Sequence, residues 1–241
     1  MKHKKKKTIA IVEARMNSNR LPGKMMLKIR NKPIIYYLIE RLKFVTELDD
    51  IIVSTTINKK DDILCSYLKR NKIKYYRGDE DHVLDRVEKT AKYYKAETII
   101  QVTGDCPLID PNIVSQTIQI YYNNICDFVT NATIRSYPDG MDSSVFSYKN
   151  LKKISKLTKN KKDREHVTLY FRNNPKLFRT INILAPKNIN YPKMGLTLDE
   201  RLDFELINKI YKKLYNKKIP FTCEDIVNFL KKYKNIQYIN K

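Results

Sequence analysis

The sequence predicts an α/β fold built on a mainly parallel sheet with helices on both faces. Three observations carry that expectation. Over the first half of the chain, short strand-like apolar runs alternate four times with amphipathic helical segments. The links between successive runs are too long for hairpins, so neighbouring strands must be joined by crossovers. After about residue 127 the rhythm breaks into shorter extended and helical pieces, which reads as one domain carrying an insertion near 130–185.

The elements follow in order. Thr8 to Ala14 reads as a short buried strand, ended by a polar loop. From Pro33, Ile35, Leu38, Ile39, Leu42 and Val45 recur at the spacing of one helix face, and proline suits a first helical turn. Asp50 to Thr55 is the second strand, Asp61 to Lys69 a helix and Ile73 to Tyr76 the third strand. The helix from Asp81 sets Leu84, Val87, Ala91 and Tyr94 on one side. Thr98 to Val102 is the fourth strand, and Asp110 caps a helix that begins with Pro111. Beyond it, Asp127 to Asn131 and Ser143 to Phe146 read as strands around a turn at Tyr137-Pro138-Asp139-Gly140. Asn150 to Leu157 and Arg164 to Asn173 read as helices, Leu177 to Leu184 as extended and Met194 to Leu198 as a strand. Helices over Glu200 to Leu214 and Cys223 to Tyr233 follow.

The chain has 241 residues, 42% apolar and 31% charged, so it can bury one good core. Lysine and arginine number 48 against 26 acidic residues, a net charge of +22. Such a charge raises nucleic acid as a partner. The lysines, however, are spread along the whole chain beside abundant Asn, Ile and Tyr, as an AT-rich coding sequence would produce. The one dense cluster, Lys2 to Lys7, forms a basic tail over residues 1–7 ahead of a single domain over 8–241. Cys65, Cys106, Cys126 and Cys223 form no CxxC pair and meet no histidine cluster, which argues against structural zinc and disulfides and for a reducing cytoplasm. No apolar run approaches the roughly 18–20 residues of a membrane helix. The basic start followed by Ile9-Ala10-Ile11-Val12 is cut off by Glu13 and Arg15, too early for a signal peptide.

Ligands of open parallel sheets bind at the carboxyl ends of the strands. The loops there are ARMNSNRLPGK (Ala14 to Lys24), Ser54-Thr55-Thr56, Arg77-Gly78-Asp79-Glu80-Asp81 and Thr103-Gly104-Asp105-Cys106-Pro107. The first is no P-loop, since Gly23-Lys24 lacks the following Ser or Thr and Ser18 stands where a glycine is needed. With five glycines and no GxGxxG, the chain has no dinucleotide fingerprint either. Arg15 and Arg20 can still fork onto phosphate oxygens, Lys24 adds a point charge and Gly23 permits close backbone approach. Asp105 sits where a hard cation facing a triphosphate would bind, and magnesium takes one or two protein carboxylates. Asp199, in Thr197-Leu198-Asp199-Glu200, has two readings: a second metal carboxylate, or part of a helix start in which Thr197 and Glu200 form a capping box.

Six motifs in order then carry a resemblance: ARMNSNRLPGK, RGDEDHVLDR (Arg77 to Arg86), TGDCPLIDP (Thr103 to Pro111), YPDGMD (Tyr137 to Asp142), REHVT (Arg164 to Thr168) and LTLDERLDFEL (Leu196 to Leu206). From Thr8 to the C-terminus the chain resembles the cytidylyltransferase family typified by spore coat polysaccharide biosynthesis protein F, related to the CMP-Kdo and CMP-sialic acid synthetases. The resemblance implies a Rossmann-like nucleotide-diphospho-sugar transferase sandwich with a mixed sheet. It implies transfer of CMP from CTP to a sugar acid, with Mg2+ as cofactor, a homodimer, and no nucleic-acid or membrane partner.

It further implies catalytic roles for Lys24, Arg15 and Arg20. The nucleotide would be bound by Ala14, Arg15, Ser18, Arg20, Gly23, Lys24, Thr55, Arg77, Asp85, Arg86 and Gly104, and the metal by Asp105 and Asp199. Tyr137, Asp139, Asp142, Arg164 and His166 fall on the acceptor side or at a dimer contact. Glu13 departs from the family, which usually has glutamine there, and places a negative charge near the proposed triphosphate; Leu196 replaces a frequent tryptophan. The competing readings are the same fold with another nucleotide or a phosphorylated acceptor, and a basic nucleic-acid-binding module.

Overall fold

The computed structural model describes residues 6–233. Its centre is a seven-stranded sheet. Strand β1 (Thr8–Glu13) is flanked by β4 (Asp50–Thr56) and β6 (Thr98–Thr103), and β5 (Lys74–Gly78) lies outside β4, all parallel. Beyond β6 come β8 (Ser144–Ser147), antiparallel to both its neighbours, then β7 (Phe128–Thr130) and β9 (Thr180–Asn182). The order β5-β4-β1-β6-β8-β7-β9 is the mixed, mainly parallel sheet expected. Only β8 runs against the rest, so its amino end, the carboxyl end of β7 and the carboxyl end of β6 share one edge of the sheet.

Period-2 alternation along β1 explains the two-faced core. Ala10 and Val12 point to the face covered by α1 (Ile34–Leu42), α2 (Asp62–Arg70), α4 (Pro111–Asn123), α8 (Arg201–Leu214) and α9 (Cys223–Lys232). Ile9 and Ile11 point to the other, covered by α3 (Val83–Tyr93), α5 (Tyr148–Leu157) and α7 (Leu169–Asn173). On that face Phe171 stacks on Phe128 at 4.6 Å between ring centroids. Each fully buried Ile or Leu contributes about 1.5–3 kcal/mol, so truncating Ile11 to alanine would cost about 2–5 kcal/mol.

Asp110 caps α4 through the Asn112 N–H, as its position before Pro111 suggests, and its other oxygen accepts the Cys223 N–H, tying α9 to α4. All four cysteines are free thiols. No helix among the described residues is long and apolar enough to cross a membrane.

Three local expectations are corrected. A small hairpin, β2 (Lys28–Ile29) and β3 (Lys32–Pro33), precedes α1. Its turn places Arg30 and Asn31 at φ 46° and 64°, a left-handed pair that the residues Arg-Asn do not announce as Asn-Gly would. The helix expected over Arg164 to Asn173 is two pieces, α6 (Lys161–Glu165) and α7, broken at His166 to Thr168. Met194 to Leu198 is no strand. It crosses the ends of other strands, so it meets loop backbone rather than a sheet edge: Leu196 N–H donates to Asp139 O and Leu198 N–H to Asp105 O. Gly140, at φ 97°, permits this, because a Cβ there would lie 2.8 Å from Leu196 backbone.

Residues 1–5 of the expected basic tail lie outside the described residues. Lys7 is fixed to the fold by its carbonyl, which accepts from Glu97 and Thr98, and by its ammonium on Tyr94 O.

Candidate active site

A cleft of about 420 Å3 opens at the carboxyl edge of β1 and β6. Its floor exists because the ends of these strands touch: Gly104 N–H donates to Glu13 O at 2.8 Å, and a Cβ on Gly104 would sit 2.7 Å from that oxygen. Only glycine fits.

The loop after β1 folds over this floor. Met16 O accepts from both Ser18 N–H and Gly23 N–H, closing the loop into a ring of backbone. Gly23 adopts φ 75°, which launches the 3-10 turn Lys24–Met26 and turns Lys24 inward. The Lys24 side chain is only 12% exposed, and its ammonium donates to Leu198 O at 2.7 Å and to Asp199 Oδ1 at 3.1 Å, with Asp105 Oδ2 at 3.6 Å. Arg20 reaches the same Asp199 oxygen at 2.9 Å.

The two readings of Asp199 are separated by its neighbour. The N–H groups of Asp199 and Glu200 are both taken by Asp203 at the start of α8, so the cap is formed by Asp203 and Glu200, and Thr197 takes no part in it. The Asp199 carboxylate is thereby directed to Lys24 and Arg20 in the cleft. Among the described residues no group of three or more His, Cys, Asp or Glu could hold a metal ion. Two carboxylates converging on one cationic centre, beside a cleft open to phosphate oxygens and water, nevertheless form a donor set that suits magnesium.

Of the residues singled out in the sequence, Ala14, Arg15, Ser18, Arg20, Lys24, Arg86, Gly104, Asp105, His166 and Asp199 line the cleft together. Gly23 acts behind it as the turn. The others stand elsewhere. Thr55 is buried and donates to Asp61. Arg77 serves β4, donating to Thr56 O and Asn58 O and pairing with Asp62 at 2.7 Å. Asp85 pairs with Arg164 at 2.7 Å, and Arg164 also donates to the Ser155 and Thr158 carbonyls, which clamps α6 to α3 and α5. Tyr137 is a core residue whose hydroxyl donates to Leu184 O.

Asp139 and Asp142 lie at the same sheet edge, just before β8, sharing Arg135 at 3.0 Å each. Burial pushes the Asp142 carboxyl up to about 6, with Arg135 and Arg172 opposing and Asp139 reinforcing the rise. Arg135 and Arg172 were missed in the sequence, since neither lies in a motif. The Nε of Arg172 is buried without a hydrogen-bond partner, as is the Nε of Arg86 in the cleft wall.

Glu13 is explained as well. Burial pushes its carboxyl up to about 7, although the Gln101 amide donates to it at 2.9 Å and Arg86 favours the charged form. A carboxyl that holds its proton near neutrality places less negative charge in the cleft than an ordinary glutamate would.

A model of the cytidylyltransferase family matches residues 9–237. The chain is 32% identical over 208 residues to the spore coat polysaccharide biosynthesis protein SpsF of Bacillus subtilis, covering 84% of this chain and 85% of that one. It is 31% identical over 113 residues to a 3-deoxy-manno-octulosonate cytidylyltransferase of Solibacter usitatus, covering 47% and 44%. The solved structure of a cytidylyltransferase from Leptospira borgpetersenii superposes with a TM-score of 0.92 at 29% identity, covering 98% of each chain. With a family match over nearly its whole length, the chain belongs to the cytidylyltransferases.

Proposed function

We propose that this cytidylyltransferase transfers CMP from CTP to a hydroxyl of a sugar acid and releases pyrophosphate, in the synthesis of a surface polysaccharide or glycan. The observation that carries the reading is the meeting of Lys24 and Arg20 with Asp105 and Asp199 at the carboxyl edge of the sheet. The acid acceptor is supported by the activity named for the Solibacter relative, and polysaccharide synthesis by the name of the Bacillus one.

In this reading the loop from Ala14 to Lys24 cradles the triphosphate. Arg15 and Arg20 fork onto phosphate oxygens, Lys24 neutralises charge on the departing pyrophosphate, and Gly104 lets the ends of β1 and β6 close into the floor of the cleft. Asp105 and Asp199 would hold Mg2+, which when bound supplies Lewis-acid neutralisation of the phosphates. The acceptor oxygen bonds to the α-phosphorus, the bond from that phosphorus to the β-phosphate oxygen breaks, and the acceptor hydroxyl's proton passes to solvent water at the open cleft. The chain's work is alignment of the partners and stabilisation of charge. In this reading Arg135 and Arg172 would meet the carboxylate of the acid, and Asp139 and Asp142 would accept hydrogen bonds from its hydroxyls.

Thermal-shift measurements with CTP, GTP, UTP and ATP in magnesium test the nucleotide, because a ligand that binds the folded state raises the midpoint. CTP is expected to give the largest rise. An equal or larger rise with another nucleotide would overturn the reading.

A further inference from the structure

We propose that Asp61 is a positioning residue for the triphosphate loop, acting through the backbone of Met16. The inference rests on that loop being the CTP phosphate cradle. Asp61 is 1% exposed and lies in the 3-10 turn Lys59–Asp61 that leads from β4 into α2, outside the triphosphate loop. One carboxylate oxygen, Oδ1, accepts the Met16 N–H at 2.6 Å. The other, Oδ2, accepts from Thr56 N–H and Thr55 Oγ1, both at 3.0 Å, and from Thr56 Oγ1. Every donor belongs to β4 except the Met16 N–H, so the carboxylate ties the loop to the strand.

Met16 is where such a tie has most effect. Its carbonyl accepts the Ser18 and Gly23 N–H groups that close the loop, and the next residue after Gly23 is Lys24. Holding the Met16 N–H therefore fixes the ring of backbone from which Ser18, Arg20 and Lys24 project. Glu80 adds a second, half-buried support from the loop after β5, accepting from the Asn17 and Asn58 amides with Arg15 at 3.9 Å. An ordered anion cradle must be built before the anion arrives, and a hydrogen bond to a buried charged acceptor is among the stronger means of holding a loop.

Asparagine cannot replace Asp61. Its single oxygen can accept either from Met16 or from the β4 donors, and its NH2 then faces N–H or O–H groups on the other side. Thr56→Val removes a hydroxyl from the same hub and leaves the Met16 tie in place, so it separates loss of folding stability from loss of loop position.

The test is calorimetric titration of magnesium and CTP, without acceptor, into the full-length protein and the two variants, with thermal midpoints measured in parallel. Asp61→Asn is expected to weaken CTP binding on the order of tenfold or more. Thr56→Val is expected to lower the midpoint while leaving CTP affinity within about twofold of the parent. A folded Asp61→Asn protein that binds CTP as tightly as the parent overturns the proposal. If Asp61→Asn does not fold, amide exchange at Met16 in the unaltered protein decides. Strong protection without CTP supports the tie, and exchange as fast as at exposed loop amides overturns it. Failure of the unaltered protein to bind CTP at all would refute the proposed function, and the Met16 exchange rate would still report on the tie.

Discussion

Lys24 and Asp199 stand 175 positions apart in the chain and meet at 3.1 Å, with Asp105 completing the group at 3.6 Å from the same ammonium. The contact joins the first loop of the sheet to the segment that leads into α8. It gives Lys24 a role that the lysines scattered over the rest of the surface do not share.

Replacing Lys24 with methionine keeps the length of the side chain and removes its charge. Catalytic efficiency with CTP is expected to fall by about a hundredfold or more, the usual cost of losing a preorganised charge facing the reacting phosphates. Pyrophosphate release under saturating acceptor reads it directly.

Chelation is expected to abolish activity, and added magnesium to restore it. Asp105→Asn and Asp199→Asn should each raise the magnesium concentration needed for half-maximal rate. A normal magnesium dependence in Asp199→Asn would leave that residue as a partner of Lys24 and Arg20 only.

Gly104→Ala would place a Cβ 2.7 Å from Glu13 O and 3.0 Å from Met25 Sδ. The first contact is with strand backbone and cannot yield cheaply. A loss of about 1–3 kcal/mol in denaturant unfolding is expected, together with weaker CTP binding.

Glu13 links stability to pH. Its carboxyl is buried, and its folded-state value of about 7 lies above the ordinary 4.5. The folded state therefore binds the proton more tightly than the unfolded chain. The associated stability is full below 4.5 and declines as pH rises from 4.5 towards about 7. Glu13→Gln removes the titration, so the variant should lose this part of the decline and gain on the parent between pH 5 and pH 8. Superimposable stability-pH curves for the two proteins would contradict it.

Much of the frame was legible in the sequence because it rests on local periodicity. The alternation Ile9, Ala10, Ile11, Val12 is sufficient to place β1 between two cores, and Asp110-Pro111 marks the start of α4. What the sequence hid depends on contacts between distant backbone groups. Asp61 reads as a helix start, and nothing near it reveals that its partner is the N–H of Met16. Met194 to Leu198 has strand composition, yet it lies across loop backbone where no sheet edge is offered. In the cleft, Arg20, Lys24, Asp105 and Asp199 were readable from their motifs. Arg77, Asp85 and Arg164 are charged residues in equally marked motifs, and only their partners show that they hold the frame together. Asp199 looked like part of a cap because Thr197 and Glu200 have the right spacing, whereas Asp203 does the capping.

The most direct measurement is mass analysis of the products formed from CTP, magnesium and a panel of sugar acids, with pyrophosphate quantified alongside. The expected result is a CMP-sugar acid accompanied by an equal amount of pyrophosphate, formed from CTP in preference to ATP, GTP or UTP and lost in Lys24→Met. Product formed only with another nucleotide, or only with a phosphorylated sugar in place of an acid, would contradict the proposed reaction.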